Sequence, residues 1–200
     1  PTTGGADDVA IVLHTSGTTS RPKQVPLLQR NLVASARSMV EHYHLDADDV
    51  SCLAMPLFHV HGLVASTLGT LASGGSVVVT RRLAPRRFWQ HLSEHGVTWF
   101  SAGPTLHHML LDKAEDAAIP PTLRFTRSCS SALSPALFAR AEERYGVPIL
   151  EAYGMTEASH QMASNPLPPA RREVGSVGIA SGVEIGIADR EGRFLGVGEA

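Results

Sequence analysis

Short apolar runs alternate with helical segments along this chain, and that alternation leaves few folds open. Residues 9–13, 51–55, 77–79, 97–100, 124–129 and 148–152 read as strands. The first, Val-Ala-Ile-Val-Leu, is unbroken and β-branched, as expected of a strand buried on both faces. Residues 28–44 carry Leu32, Val33, Ala36, Met39, Val40 and Tyr43 at helical spacing. Residues 63–72 suit a helix stopped by Gly74. Pro85, Pro104 and Pro135 each stand where a first helical turn tolerates proline, opening helices that run to about His95, Lys113 and Tyr145. Strands alternating with helices predict an α/β fold with a mostly parallel sheet flanked by helices. After Ala163 the texture changes. Residues 165–172 are rich in proline, and the remainder is punctuated by glycine, with an alternating run over residues 183–188. A short antiparallel β tail is expected there.

Composition narrows the function. A net charge of −2 lacks the basic excess of a nucleic-acid binder. No run approaches the eighteen apolar residues of a membrane span. With 43% apolar and 18% charged residues the chain is globular rather than disordered. Its two cysteines, Cys52 and Cys129, suit a reducing, cytoplasm-like compartment. The chain starts at Pro1 and stops in Gly-Val-Gly-Glu-Ala, which suggests a piece of a longer protein.

Four segments at predicted strand ends carry chemistry. Thr15-Ser16-Gly17-Thr18-Thr19-Ser20-Arg21-Pro22-Lys23 packs five hydroxyls, one glycine and two cations into nine residues. Hydroxyls, free backbone N–H groups and cations together suit phosphate oxygens, although an exposed Ser/Thr loop would look similar. The loop is not a Walker A sequence, because its lysine follows Pro22 and precedes Gln24. Tyr153-Gly154-Met155-Thr156-Glu157 offers an aromatic face, a hydroxyl and a carboxylate able to hold Mg²⁺, or else a plain turn. Pro56-Leu57-Phe58-His59-Val60-His61-Gly62 brings two imidazoles, too few for a zinc site, and His59 reads as a polar group lining a cleft. Ser128-Cys129-Ser130-Ser131-Ala132 is small enough to admit a flat ligand, or forms a tight turn before a helix capped by Ser134. His107 and His108 are adjacent on a helix and point apart.

In this order and spacing, the segments resemble the adenylate-forming superfamily of acyl-CoA synthetases, adenylation domains and luciferases. Residues 15–23 look like its phosphate loop, with Ser20 where glycine is usual. Residues 153–157 match its Tyr-Gly-x-Thr-Glu motif, and residues 56–62 match its Pro-x-x-His motif. Residues 127–132, 150–162 and 164–169 further resemble the oxalate–CoA ligase branch, with Gly154 where alanine is common.

The resemblance implies an AMP-binding subdomain over residues 1–163, then a linker and the start of a β subdomain over 164–200. It implies that Thr15, Ser16, Gly17, Thr18, Thr19 and Lys23 hold the β- and γ-phosphates of ATP. Tyr153 and Gly154 would meet the adenine, with Ser131 and Ala132 across it and Glu151 near its amino edge. Thr156 would touch the α-phosphate and Glu157 would bind Mg²⁺, which gives Lys23, Thr156 and Glu157 the catalytic roles. His59, Ser130 and His160 would line the pocket of a small carboxylate such as oxalate, with CoA as the acceptor. The superfamily also has an N-terminal segment and a mobile C-terminal domain with a further lysine. Neither is present here, so the piece alone is expected not to turn over. The implied location is the cytoplasm, or the peroxisome in a eukaryote. A carrier-protein-loading adenylation domain and a non-catalytic nucleotide-binding module share most of these features.

Overall fold

The computed structural model describes residues 4–15, 22–80, 83–113 and 117–199. Five parallel strands form its centre: β3 (Val50–Leu53), β4 (Ser76–Val79), β5 (Trp99–Ala102), β6 (Phe125–Ser128) and β7 (Ile149–Met155). They lie in the order β4-β3-β5-β6-β7, and β8 (His160–Ser164) and β9 (Ile179–Ala180) extend the sheet antiparallel beyond β7. The fold is therefore α/β with a mostly parallel sheet and an antiparallel tail.

Helices cover both faces because side chains alternate along each buried strand. Phe100 and Ile149 pack on α3 (Pro85–Glu94), α4 (Pro104–Asp112) and α5 (Pro135–Tyr145) through Phe88, Trp89, Leu110, Phe138 and Tyr145. Their neighbours Trp99 and Leu150 face the other way, onto Met39 and Tyr43 of α1 (Gln29–Tyr43). The helix starts follow local chemistry. Ser134 accepts from the Leu137 N–H at 3.2 Å, Pro135 follows it, and Gly146 closes the helix at φ 70°.

Three expectations change. Residues 9–13 are not a strand of the parallel sheet buried on both faces. β1 (Val9–Thr15) pairs antiparallel with β2 (Lys23–Leu28) in a separate ribbon. Ile11 and Leu13 pack with Val25, Leu27, Leu32, Val60 and Val64, whereas Val9 and Val12 are exposed. An unbroken apolar run does not reveal that one of its faces is open. β2 itself was hidden by Pro26, which a two-stranded ribbon tolerates because each strand has an unpaired edge. Lastly, Tyr153-Gly154-Met155 continue β7 instead of following it, paired with β8 across a bulge.

The predicted helix over residues 63–72 is a π-helix, His61–Leu68, running into an α-helical turn, α2 (Gly69–Ala72). Gly62 permits its close start: a Cβ there would lie 2.4 Å from the carbonyl oxygens of both Met55 and Pro56. Cys52 and Cys129 are buried and unpaired. No helix among the described residues is long and apolar enough to cross a membrane.

Candidate active site

In open parallel sheets the carboxyl ends of the strands make the ligand crevice. Two cavities lie at that rim, and Cys129, Ser130 and Gly154 line both.

The first holds about 310 Å³. The loop after β6 supplies Ser131 and Ala132, and β7 supplies Glu151, Tyr153 and Gly154. Tyr153 is half exposed, so its ring is available to a flat ligand. Glu151 is buried and its Oε2 accepts from the Gly175 N–H at 2.8 Å. Burial raises its carboxyl above the ordinary carboxylate value, with the Gly175 bond working in the opposite direction.

The second cavity holds about 420 Å³. Thr15 and Lys23 reach it from the β1–β2 ribbon, His59 from the loop after β3, Thr156 and Glu157 from the turn between β7 and β8, and His160 from the start of β8. Residues far apart in sequence thus line one space. Ser16, Gly17, Thr18 and Thr19 lie outside the described residues; Thr15 and Lys23, which bracket them, both face the cavity. Of the proposed substrate residues, His160 is buried, while Ser130 and His59 are exposed. Ser130 (φ 78°), Ser159 (φ 56°) and His160 (φ 99°) adopt left-handed backbone conformations, each at a cost of about 1–3 kcal/mol. Strain held at a cleft marks segments whose position matters more than their local comfort.

Three buried residues behind the cavity carried no role in the sequence reading. His61 Nδ1 lies 3.0 Å from Ser130 Oγ, and its Nε2 lies 2.6 Å from Ser101 Oγ. Both ring nitrogens are engaged, so His61 cannot share a metal with His59. The third is Arg127 on β6, fully buried, whose Nη1 donates to Ser101 Oγ at 2.9 Å and whose Nε donates to Tyr43 Oη at 2.8 Å. The signal available beforehand was a cation inside a strand otherwise reading as core, where arginine is rarely placed. Burial first, then the charge of Arg127, holds the His61 and His160 imidazoles well below the usual histidine range. His160 Nδ1 has no hydrogen-bond partner among the described residues.

The donor set suits a nucleotide and its cation. Hydroxyls and Lys23 face the cavity where phosphates would lie. Glu157 offers a carboxylate, which fits Mg²⁺, an ion that keeps most of its shell as phosphate oxygen and water. Among the described residues the one group of three side chains able to share a metal ion is His91, Glu94 and His95 on α3, which line neither cavity.

Comparison with known proteins gives the family. Oxalate–CoA ligase of Saccharomyces cerevisiae is 47% identical over 97% of this chain and 36% of its own length. Oxalate–CoA ligase of Arabidopsis thaliana is 46% identical over 94% of this chain and 38% of its own length. The chain thus spans little more than a third of the curated relatives it matches. The crystal structure of ATP-bound MatB from Rhodopseudomonas palustris superposes with a TM-score of 0.81 at 30% identity, covering 98% of this chain and 39% of that one. A family model described as AMP-binding enzyme matches residues 1–200, and this chain belongs to that family of AMP-binding enzymes.

Proposed function

We propose that this chain forms the nucleotide- and acid-binding part of an ATP-dependent carboxylate–CoA ligase acting on oxalate or another small carboxylate. The observation that carries the reading is the convergence of Thr15, Lys23, Thr156 and Glu157 on a cavity that also holds Ser130 and His160. In such a ligase a carboxylate oxygen attacks the α-phosphorus of ATP, pyrophosphate leaves and an acyl-adenylate remains. The thiol of CoA then displaces AMP to give the thioester.

Each described group has a task that its position permits. Tyr153 stacks on the base in the first cavity, with Ser131 and Ala132 opposite and Glu151 at its edge. Thr15, with Ser16, Gly17, Thr18 and Thr19, holds the β- and γ-phosphates, and Lys23 neutralises their charge. Thr156 donates to the α-phosphate. Glu157 would hold Mg²⁺, which supplies further neutralisation of the phosphate oxygens when bound. Catalysis of the first step is alignment and charge stabilisation rather than proton transfer.

The lining supports a small substrate. A short dianion needs donors close to the reacting centre, and His59, Ser130 and His160 provide them where a fatty acid would need an apolar channel. The relatives named oxalate–CoA ligase support the same choice. The test is pyrophosphate release by the full-length protein with a panel of carboxylates. Preference for oxalate over acetate and long-chain acids is expected. Equal rates across the panel would overturn the substrate assignment, and no release with any acid would overturn the ligase reading.

A further inference from the structure

Arg127 is fully buried, yet no carboxylate among the described residues pairs with it. Its hydrogen bonds go to Tyr43 Oη, Ser101 Oγ and, at 3.4 Å, His61 Nε2, and the Cys129 side chain also interacts with it. Its Nη2 has no hydrogen-bond partner among the described residues. A buried cation without a paired carboxylate is expensive, and arginine cannot escape by losing its proton. A charge kept under those terms calls for a purpose beyond packing.

The hydrogen-bond directions supply one. Arginine only donates, so Ser101 Oγ accepts from Arg127 Nη1. The Ser101 hydroxyl hydrogen is then free to donate to His61 Nε2 at 2.6 Å. Arg127 Nη1 approaches the same nitrogen. Two donors directed at Nε2 leave it the acceptor of the ring, so a neutral His61 carries its proton on Nδ1. That Nδ1–H donates to Ser130 Oγ at 3.0 Å. Ser130 Oγ, occupied as an acceptor, keeps its own O–H for the cavity that it lines with His160 and Lys23.

We infer that Arg127 is a positioning residue: acting through Ser101 and His61, it fixes Ser130 as a hydrogen-bond donor to the far carboxylate of a dianionic acid. Neither Arg127 nor His61 lines the cavity. The first thus acts at one remove and the second directs the serine from behind. Should the ring flip its tautomer, Nδ1 would accept from Ser130 instead, and the serine would turn a lone pair towards the anion. This inference rests on the ligase reading for its substrate but not for its proton placement.

Two measurements test it in the full-length protein. In the first, nitrogen chemical shifts of ¹⁵N-labelled histidine, assigned with His61→Gln, report which ring nitrogen of His61 bears the proton. The neutral Nδ1–H form is expected in the parent, and Ser101→Ala is expected to move the signal towards the Nε2–H form. An Nε2–H tautomer in the parent overturns the relay. In the second, Ser101→Ala should lower the ratio of kcat/KM for oxalate over that for acetate about tenfold, the value of one hydrogen bond to a charged group. In the Ser130→Ala background the same change should have no further effect on that ratio. Equal losses for both acids, or additive losses in the double variant, would reduce Ser101 and Arg127 to structural roles. If the parent activates no acid at all, the ligase reading fails and the nitrogen shifts still decide the tautomer.

Discussion

His107 Nε2 lies 3.0 Å from the carbonyl oxygen of Arg127, so a helix of the scaffold grips the strand that carries the buried cation. His107 is itself fully buried, and burial pushes its pKa down to about 4 against the opposing pull of that bond. An unfolded histidine titrates near 6.5. The contribution of a neutral His107 is therefore fully present above that pH. It drains away as pH falls towards 4, because only the unfolded chain then takes up the proton. The loss from this one residue reaches about 3 kcal/mol. His107→Gln should flatten the fall of urea midpoints between pH 6.5 and 4, and parallel curves for parent and variant would contradict the assignment.

Tyr153 lines the first cavity with half its surface open. Base–aromatic stacking is worth about 1–3 kcal/mol. Tyr153→Ala should weaken MgATP binding about tenfold or more in a calorimetric titration, whereas Tyr153→Phe should bind nearly as well as the parent. An alanine variant with unchanged affinity would place the base elsewhere.

Glu157 is the carboxylate lining the second cavity. Glu157→Gln keeps the shape and removes the charge. The rate of pyrophosphate release should fall about a hundredfold, within the range found when one charge-stabilising group is lost. The Mg²⁺ concentration giving half-maximal rate should rise. An unchanged Mg²⁺ dependence would assign the ion to other ligands.

Gly62 stands between the carbonyl oxygens of Met55 and Pro56 with no room for a methyl group. Gly62→Ala must displace backbone, so a loss of about 2 kcal/mol or more is expected in denaturant melts. Since His59 and His61 flank this start of the π-helix, the cavity lined by His59 should be disturbed more than the one lined by Tyr153. A melt identical to the parent would show that the loop after β3 yields easily.

Asp49 is buried and accepts from Arg124 Nη1 at 2.5 and 2.6 Å, from Thr98 Oγ1 at 2.6 Å and from the Asp46 N–H at 3.0 Å. Arg124→Ala would leave a buried carboxylate short of its counter-charge, at a cost of about 3 kcal/mol in thermal or urea unfolding. Asp49→Asn with Arg124→Ala should recover part of that loss.

The central sheet was legible because its strands are short apolar runs between well-signalled helices: Ser134 and Pro135 open α5, and Gly146 closes it. What was not legible depends on partners distant in sequence. His160–Ser164 is polar in sequence and becomes a strand only because β7 offers it an edge. The surface residues of the cleft, from Lys23 to Glu157, could be named because their chemistry is visible residue by residue. Ser101 and His61 could not, since a hydrogen bond from a strand interior to an imidazole leaves no local pattern; Arg127 was marked only as a cation inside a core strand, without its partners.

One strand, β7, joins the two kinds of ladder, lines the first cavity with Glu151, Tyr153 and Gly154, and leads directly into Thr156 and Glu157 at the second. At about 3.3 Å per residue, Glu151 and Met155 stand about 13 Å apart along it. On the proposed reading, the interval between the base side and the phosphate side would thus be metered by covalent chain, as on a gauge block. Inserting or deleting a single residue there would change that interval and turn every later side chain to the opposite side of the sheet. This stretch of the gene should tolerate no change of length.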